Sequence, residues 1–252
     1  MFELSLDLVL MLVVAAFAAG FVDAIAGGGG LITVPALMLA GLPPAQALAT
    51  NKVQGAFGAG TAALSYAASG LVDLRSQWRA ALIAFGAGLL GALCVSLIPA
   101  QALRYVLPFV LIAIAAFFAL KPGLGDMDRM QRITPLAFTL TLVPLIGFYD
   151  GLIGPGTGAF FMIGFVTLAG YGILKATAHT KLLNFASNFG GLVGFTMIGK
   201  PLWLLGLAMG IAQIAGAWVG ARLAMRVGAR IIKPLLVITS TALALRLLWD
   251  LL

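Results

Sequence analysis

Charge is scarce in this chain and cysteine nearly absent. Only 9% of its 252 residues are Asp, Glu, Lys or Arg, against 62% hydrophobic. Soluble domains carry about 25% charged and about 45–50% apolar residues. That deficit excludes a water-soluble globular domain, and no polar stretch is long enough to form one beside a membrane part. The single cysteine, Cys94, lies in the apolar run Gly91-Ala92-Leu93-Cys94-Val95, which excludes a disulfide framework and a cysteine metal cluster. No metal and no cofactor are expected. A cleavable signal opens on positive charge; here the leading charges are Glu3 and Asp7, so the first apolar run is expected to be a span. The net charge of +7 does not point to nucleic acid, because Lys and Arg are scattered along loop ends instead of gathered on one face.

What the chain does have is apolar runs of membrane length. Gly, Pro and charge clusters divide them into pieces at 4–26, 31–40, 46–69, 78–98 and 103–120, then 134–153, 158–170, 176–198, 202–221 and 231–251. A span needs about 20 apolar residues, so 31–40 and 158–170 are too short to cross alone. Each of these follows a glycine cluster, Gly27-Gly28-Gly29-Gly30 or Gly154-Pro155-Gly156-Thr157-Gly158.

The correspondence extends along the chain. Gly20-Phe21-Val22-Asp23-Ala24-Ile25-Ala26-Gly27-Gly28-Gly29 aligns without gaps on Gly147-Phe148-Tyr149-Asp150-Gly151-Leu152-Ile153-Gly154-Pro155-Gly156. Ala47-x-Ala49-x-x-Lys52 matches Ala176-x-Ala178-x-x-Lys181, Gly91 pairs with Gly216, Arg104 with Arg230 and Pro108 with Pro234. This is an internal repeat, with membrane repeats at 1–126 and 127–252. Cytoplasmic loops collect Lys and Arg. If every piece changes side, Arg75, Arg79, Lys121, Arg129, Arg132, Lys175, Arg222, Arg226, Arg230 and Lys233 share one face, leaving Arg104 and Lys200 opposite. If the short pieces merely fold back, these charges divide evenly. The bias favours five segments per half, hence inverted halves with both termini outside. The fold expected is an all-α polytopic membrane protein of two inverted repeats, with short broken helices after glycine-rich turns. Short, glycine-interrupted segments at matching places in two halves point to a transporter binding site.

Five ionisable residues fall within or beside the expected membrane depth: Asp23, Lys52, Asp150, His179 and Lys181. A charge at the centre of a span costs at least about 2.5–3.5 kcal/mol, so such residues face a cavity or a partner. A glycine turn before a helix exposes N–H groups, and the first helical turn adds partial positive charge. Leu31 and Gly158 are expected to open such helices. Together with Lys52 and Lys181 they suit a small oxyanion, and the expected binding set is Gly28, Gly29, Gly30, Asn51, Lys52, Gly156, Thr157, Gly158, Lys181 and Asn184. Lys181, Asn184 and Asn188 share a helix face, whereas the first half has Gly55 and Ala59 at the asparagine positions. Asp23, Asp150 and His179 are candidate proton carriers. Plainer readings stay open: packing glycines, structural pairs Asp23–Lys52 and Asp150–Lys181, and His179 as a polar boundary residue. Gly86-x-Gly88-x-x-Gly91 looks like a dinucleotide fingerprint, but no strand precedes it, so helix packing is expected there.

The run Asp23-Ala24-Ile25-Ala26-Gly27-Gly28-Gly29-Gly30-Leu31-Ile32-Thr33-Val34-Pro35, with Ala49-Thr50-Asn51-Lys52 and the recurrence at 147–158, resembles the sulfite exporter TauE/SafE family. The similarity covers nearly the whole chain. It implies a bacterial inner-membrane transporter of a small sulfur-containing anion, sulfite or an organosulfonate, with lipid as its surroundings and no nucleic acid or enzymatic chemistry. Whether it works alone or as a homo-oligomer is open. An inside-negative potential pushes an anion outward by about 2.3 kcal/mol per charge per 100 mV, which favours export. The rival readings are a passive anion channel and an intramembrane aspartyl protease. The protease would need two carboxylates sharing one site, whereas Asp23 and Asp150 occupy equivalent positions of the repeat, which suits alternating access.

Overall fold

A computed structural model describes residues 5–95, 112, 116, 120, 125–198 and 201–249. The piece at 103–120, Arg104, Pro108, Lys121 and Lys200 lie largely or wholly outside them. The described residues are helical, with no strand among them: α1 (Leu6–Ala26), α2 (Gly29–Leu39), α3 (Pro44–Ala68), α4 (Leu74–Leu93), α5 (Pro135–Leu152), α6 (Thr157–Gly164), α7 (Ile173–Ile198), α8 (Trp203–Val227) and α9 (Ala229–Trp249). This is an all-α membrane protein. Helices α1, α5 and α8 are long and apolar enough to cross a membrane. Helices α3 and α7 are as long, at 25 and 26 residues, but are diluted by the polar residues they bury. Outward-facing Leu10, Val14, Leu82, Leu140, Leu204 and Ile211 are exposed, as side chains that use lipid as solvent must be.

The two short pieces are helices that restart. Helix α1 ends at Gly27, whose φ of 76° is left-handed, and α2 begins two residues later at Gly29. With 11 residues it is about 16 Å long, half the hydrocarbon thickness. Helix α5 ends at Leu152, and α6 begins at Thr157 after Gly154-Pro155-Gly156. It then widens into a π turn at Phe165–Ala169 and stops at Gly170. The starts therefore fall slightly earlier than the expected Leu31 and Gly158, because the glycines themselves enter the first helical turn.

Packing alternates between the halves. α1 lies along α8, α5 along α4, α3 along α8, α7 along α4, and α3 meets α7; exchanging the halves reproduces the same set. The crossings are close because glycine sits in them. A β-carbon at Gly91 would collide with the Phe148 carbonyl, and one at Gly216 with the Phe17 carbonyl. Gly88 likewise meets the backbone of Ser187, so two of the three glycines in the fingerprint-like run are packing residues.

The segment between the halves is bound to the second one. Arg129 N–H donates to the Gly170 carbonyl and Arg132 N–H to that of Leu168. The Asp126 carboxylate accepts from Leu174 N–H and Ala229 N–H, so one side chain caps α7 and α9 together. Asp128 accepts from Gly172 N–H and from the Lys175 ammonium at 2.5 Å. That ammonium, then the Gly172 N–H, holds the Asp128 carboxyl below its ordinary value.

Candidate functional site

The two glycine turns meet. A β-carbon on Gly27 would lie 2.6 Å from Gly158 Cα, so neither residue can carry a side chain without separating the turns. The N-termini of α2 and α6 consequently open on one shared pocket. Asp23, Gly28, Gly29, Gly30, Asn51, Lys52, Asp150, Gly156, Thr157, Gly158 and Asn184 all line it. Lys181 does not line it. It is fully buried and reaches the pocket only through Asp23. His179 is not brought there either; its ring lies 4.8 Å from that of Tyr171 and 5.6 Å from that of Phe165.

Not every N–H in the turns is free for a ligand. Gly29 N–H donates to Asp23 Oδ1 at 3.1 Å, and Thr157 N–H donates to the Gly154 carbonyl. Among the described residues, the N–H groups of Gly28, Gly30, Gly156 and Gly158 have no such partner. These are orphan donors of helix N-termini, and the helix dipoles reinforce them.

The ion pairs cross between the halves. Pairing within each half, Asp23 with Lys52 and Asp150 with Lys181, is not what forms. Lys52 Nζ donates to Asp150 Oδ1 at 2.8 Å and to the Asp150 carbonyl. Lys181 Nζ donates to the Asp23 carbonyl and lies 3.5 Å from Asp23 Oδ2. The reason is the packing: α3 and α7 run between the halves, so each lysine extends towards the opening helix of the other repeat. Each aspartate has its own lysine, unlike a carboxylate dyad sharing a proton.

The pairs are not equivalent. Asp150 also accepts from Thr157 Oγ1 at 3.0 Å, Ser187 Oγ at 2.5 Å and Asn188 Nδ2 at 3.1 Å. In the aligned first half these three donors are Gly30, Gly58 and Ala59. Among the described residues the Asp23 carboxylate therefore keeps only the Gly29 N–H and a long contact to Lys181. It is 15% exposed, whereas Asp150 is 1% exposed.

Further polar residues lie in the pocket wall or behind it. Gln213, on α8, is 3% exposed, lines the pocket, and makes no side-chain hydrogen bond among the described residues. It packs against Gly58, where a β-carbon would collide with its amide. Thr33 Oγ1 and Gln54 Nε2 both donate to Asn51 Oδ1, at 2.6 and 3.3 Å, which turns the Asn51 amide NH₂ away from those partners. Ser187 and Thr33 lack the charge that draws attention in an apolar run. Gln213 does stand out as a polar residue in an apolar helix, and that was the signal available.

Buried opposed charges, paired helix N-termini and an apolar exterior are features of a membrane transporter. The Sulfite exporter TauE/SafE family model matches residues 12–247, and the chain belongs to that family. It is 60% identical over 248 residues to a probable membrane transporter protein, ORF9, of Sinorhizobium sp., covering 98% of this chain and 95% of the relative. It is 44% identical over 250 residues to the probable membrane transporter protein YfcA of Escherichia coli strain K12, covering 99% and 93%. A probable membrane transporter protein of Haemophilus influenzae is 42% identical over 248 residues, covering 98% and 97%. No solved structure matches the chain.

Proposed function

We propose that the protein moves a small anion, sulfite or an organosulfonate, outward across the bacterial inner membrane by alternating access, with Gly28, Gly30, Gly156, Gly158, Lys52, Asn51 and Asn184 contacting it. The observation that carries this reading is the convergence of two helix N-termini, with orphan N–H groups, on a pocket that a buried lysine lines. Oriented N–H donors and a partial positive charge favour an oxyanion. Lys52 spends two of its three donors on Asp150, which leaves one for a ligand. The repeat supports a rocking mechanism, because exchange of the halves reproduces the same packing and sets the site at their junction. Inversion of the halves, five segments in each, both termini outside and the division at 126 complete the proposal.

The test is binding of sulfite, sulfonates, carboxylates and phosphate to purified protein, followed by counterflow in proteoliposomes. A sulfur oxyanion should bind best and flux should rise with substrate on the opposite side. Flux without such trans-stimulation would instead fit a passive channel, and preference for a carboxylate would remove the sulfur-anion assignment.

A further inference from the structure

We infer that the Asp23 carboxylate occupies a subsite that the transported anion takes over, and that a proton on Asp23 accompanies the exchange, while Lys52–Asp150 stays closed as a fixed clamp. This rests on the pocket binding an anion.

The argument begins with what Asp23 touches. Its carboxylate accepts from Gly29 N–H in the first turn of α2 and faces the Lys181 ammonium. Those are an anion's partners: a helix N-terminal N–H and a buried cation. The carboxylate lines the pocket, whereas Lys181 does not, so an incoming oxyanion can reach Lys181 only by displacing Asp23. Gln213 supplies an independent indication of a ligand, being 97% buried, unpartnered among the described residues and in the pocket wall.

Charge balance then requires a proton. Asp23 and Asp150 are matched by Lys52 and Lys181, so the empty pocket is neutral. A monoanion added to it leaves a buried negative charge, which is costly at membrane depth. Protonating one carboxylate restores neutrality and frees a lysine and an N–H for the substrate. Asp150 is the wrong candidate, because Lys52, Thr157, Ser187 and Asn188 all donate to it. Asp23 has lost the last three of those donors to Gly30, Gly58 and Ala59. The titratable groups around it are Lys181 from α7, Tyr66 from α3, whose hydroxyl donates to the neighbouring Ala24 carbonyl, and Lys52 and Asp150 across the pocket. Helices α2, α6 and α8 bring only uncharged groups to the pocket, and α9 brings none. A monovalent anion would then cross without net charge. Outward movement would then be driven by the anion's own excess inside the cell, against any inward proton gradient, and the membrane potential would not act on it.

Methanesulfonate serves as the probe, since its charge is constant across the neutral range. Wild-type protein in weak buffer should take up a single proton per anion bound, and its affinity should fall as pH rises. Asp23→Asn, and Asp23→Ser as a smaller replacement, should bind at least as tightly, with no proton uptake and an affinity independent of pH. Wild-type binding without proton uptake overturns the inference, as does a D23N or D23S protein that folds but binds more weakly or keeps the pH slope; either leaves the anion site standing. Failure of every anion in the wider panel to bind any folded variant would remove the proposed function and the inference together.

Discussion

Lys52 on α3 and Asp150 on α5 are both 1% exposed and hold each other at 2.8 Å across the junction of the two repeats. Removing one member of a buried pair strands the other and costs about 3–5 kcal/mol. Lys52→Ala should therefore lower the detergent melting temperature sharply, and Lys52→Met/Asp150→Asn should recover much of it. If K52A melts like wild type, the pair is not a clamp and Lys52 serves the pocket alone.

Lys181 differs, although its spacing in the repeat is the same. Its partner Asp23 is partly exposed and bound more loosely. Lys181→Gln should cost less stability than Lys52→Gln under the same conditions, yet weaken anion binding as much. Equal losses of melting temperature would make both pairs structural.

The sequence revealed the short helices, the glycine turns and the four charges, because each is a departure from an apolar background that recurs at a constant offset. It did not reveal which lysine meets which aspartate. Repeat spacing places a residue on its own helix, whereas pairing depends on which helices cross, and α3 and α7 cross between the halves. The same blindness covers Ser187 and Thr33, small polar residues whose importance depends on one hydrogen bond across the fold. Trp218 lies within α8, exposed, with the Arg222 guanidinium over its ring. The packing role of Gly91 and Gly216 was legible, since glycines at matched positions in apolar helices permit close approach.

Glycine substitutions can now be chosen to separate packing from binding. Gly156 has a φ of 86° and Gly29 would press a β-carbon against Asp23, so alanine strains both. Gly28 has a negative φ, and a β-carbon there meets only Leu31 Cδ1 at 3.4 Å among the described residues. Gly28→Ala should fold with a near-normal melting temperature and bind anion more weakly, because the methyl group crowds an N–H at the pocket. Gly91→Ala and Gly216→Ala should lose stability and expression first. Unchanged affinity in a stable G28A protein would take Gly28 out of the anion cradle.

Topology tests the inverted arrangement. In a Cys94→Ala background, a cysteine replacing Ser76 should react only with cytoplasmic reagent and one replacing Lys200 only with external reagent. Both reacting from one side would require parallel halves.

The segment joining the repeats gives a pH-dependent signal of its own. Asp128 has its carboxyl value lowered from 3.8, chiefly by the Lys175 hydrogen bond. Its contribution is complete above the unfolded carboxylate value and disappears as pH falls through the lower folded value. Neutralising it by Asp128→Asn should therefore change stability at neutral pH and make no difference in strong acid. Asp126→Ala removes caps from two helices, each worth about 0.5–2 kcal/mol, so its loss at neutral pH should be the larger. Equal melting temperatures for D126A and wild type would mean that the segment is not anchored there.

Gln213 gives the sharpest separation of function from stability. Its amide faces the pocket and makes no side-chain hydrogen bond among the described residues, so an apolar side chain of similar size could take its place in the fold. Gln213→Met should accordingly leave the melting temperature unchanged or raise it. A hydrogen bond from that amide to a charged ligand is worth about 1.5–3 kcal/mol, so the same substitution should weaken anion affinity about tenfold or more. Melting and binding measured on one preparation decide it. A Q213M protein that loses stability while binding normally would make Gln213 a packing residue against Gly58 and leave the anion to the glycine turns and lysines.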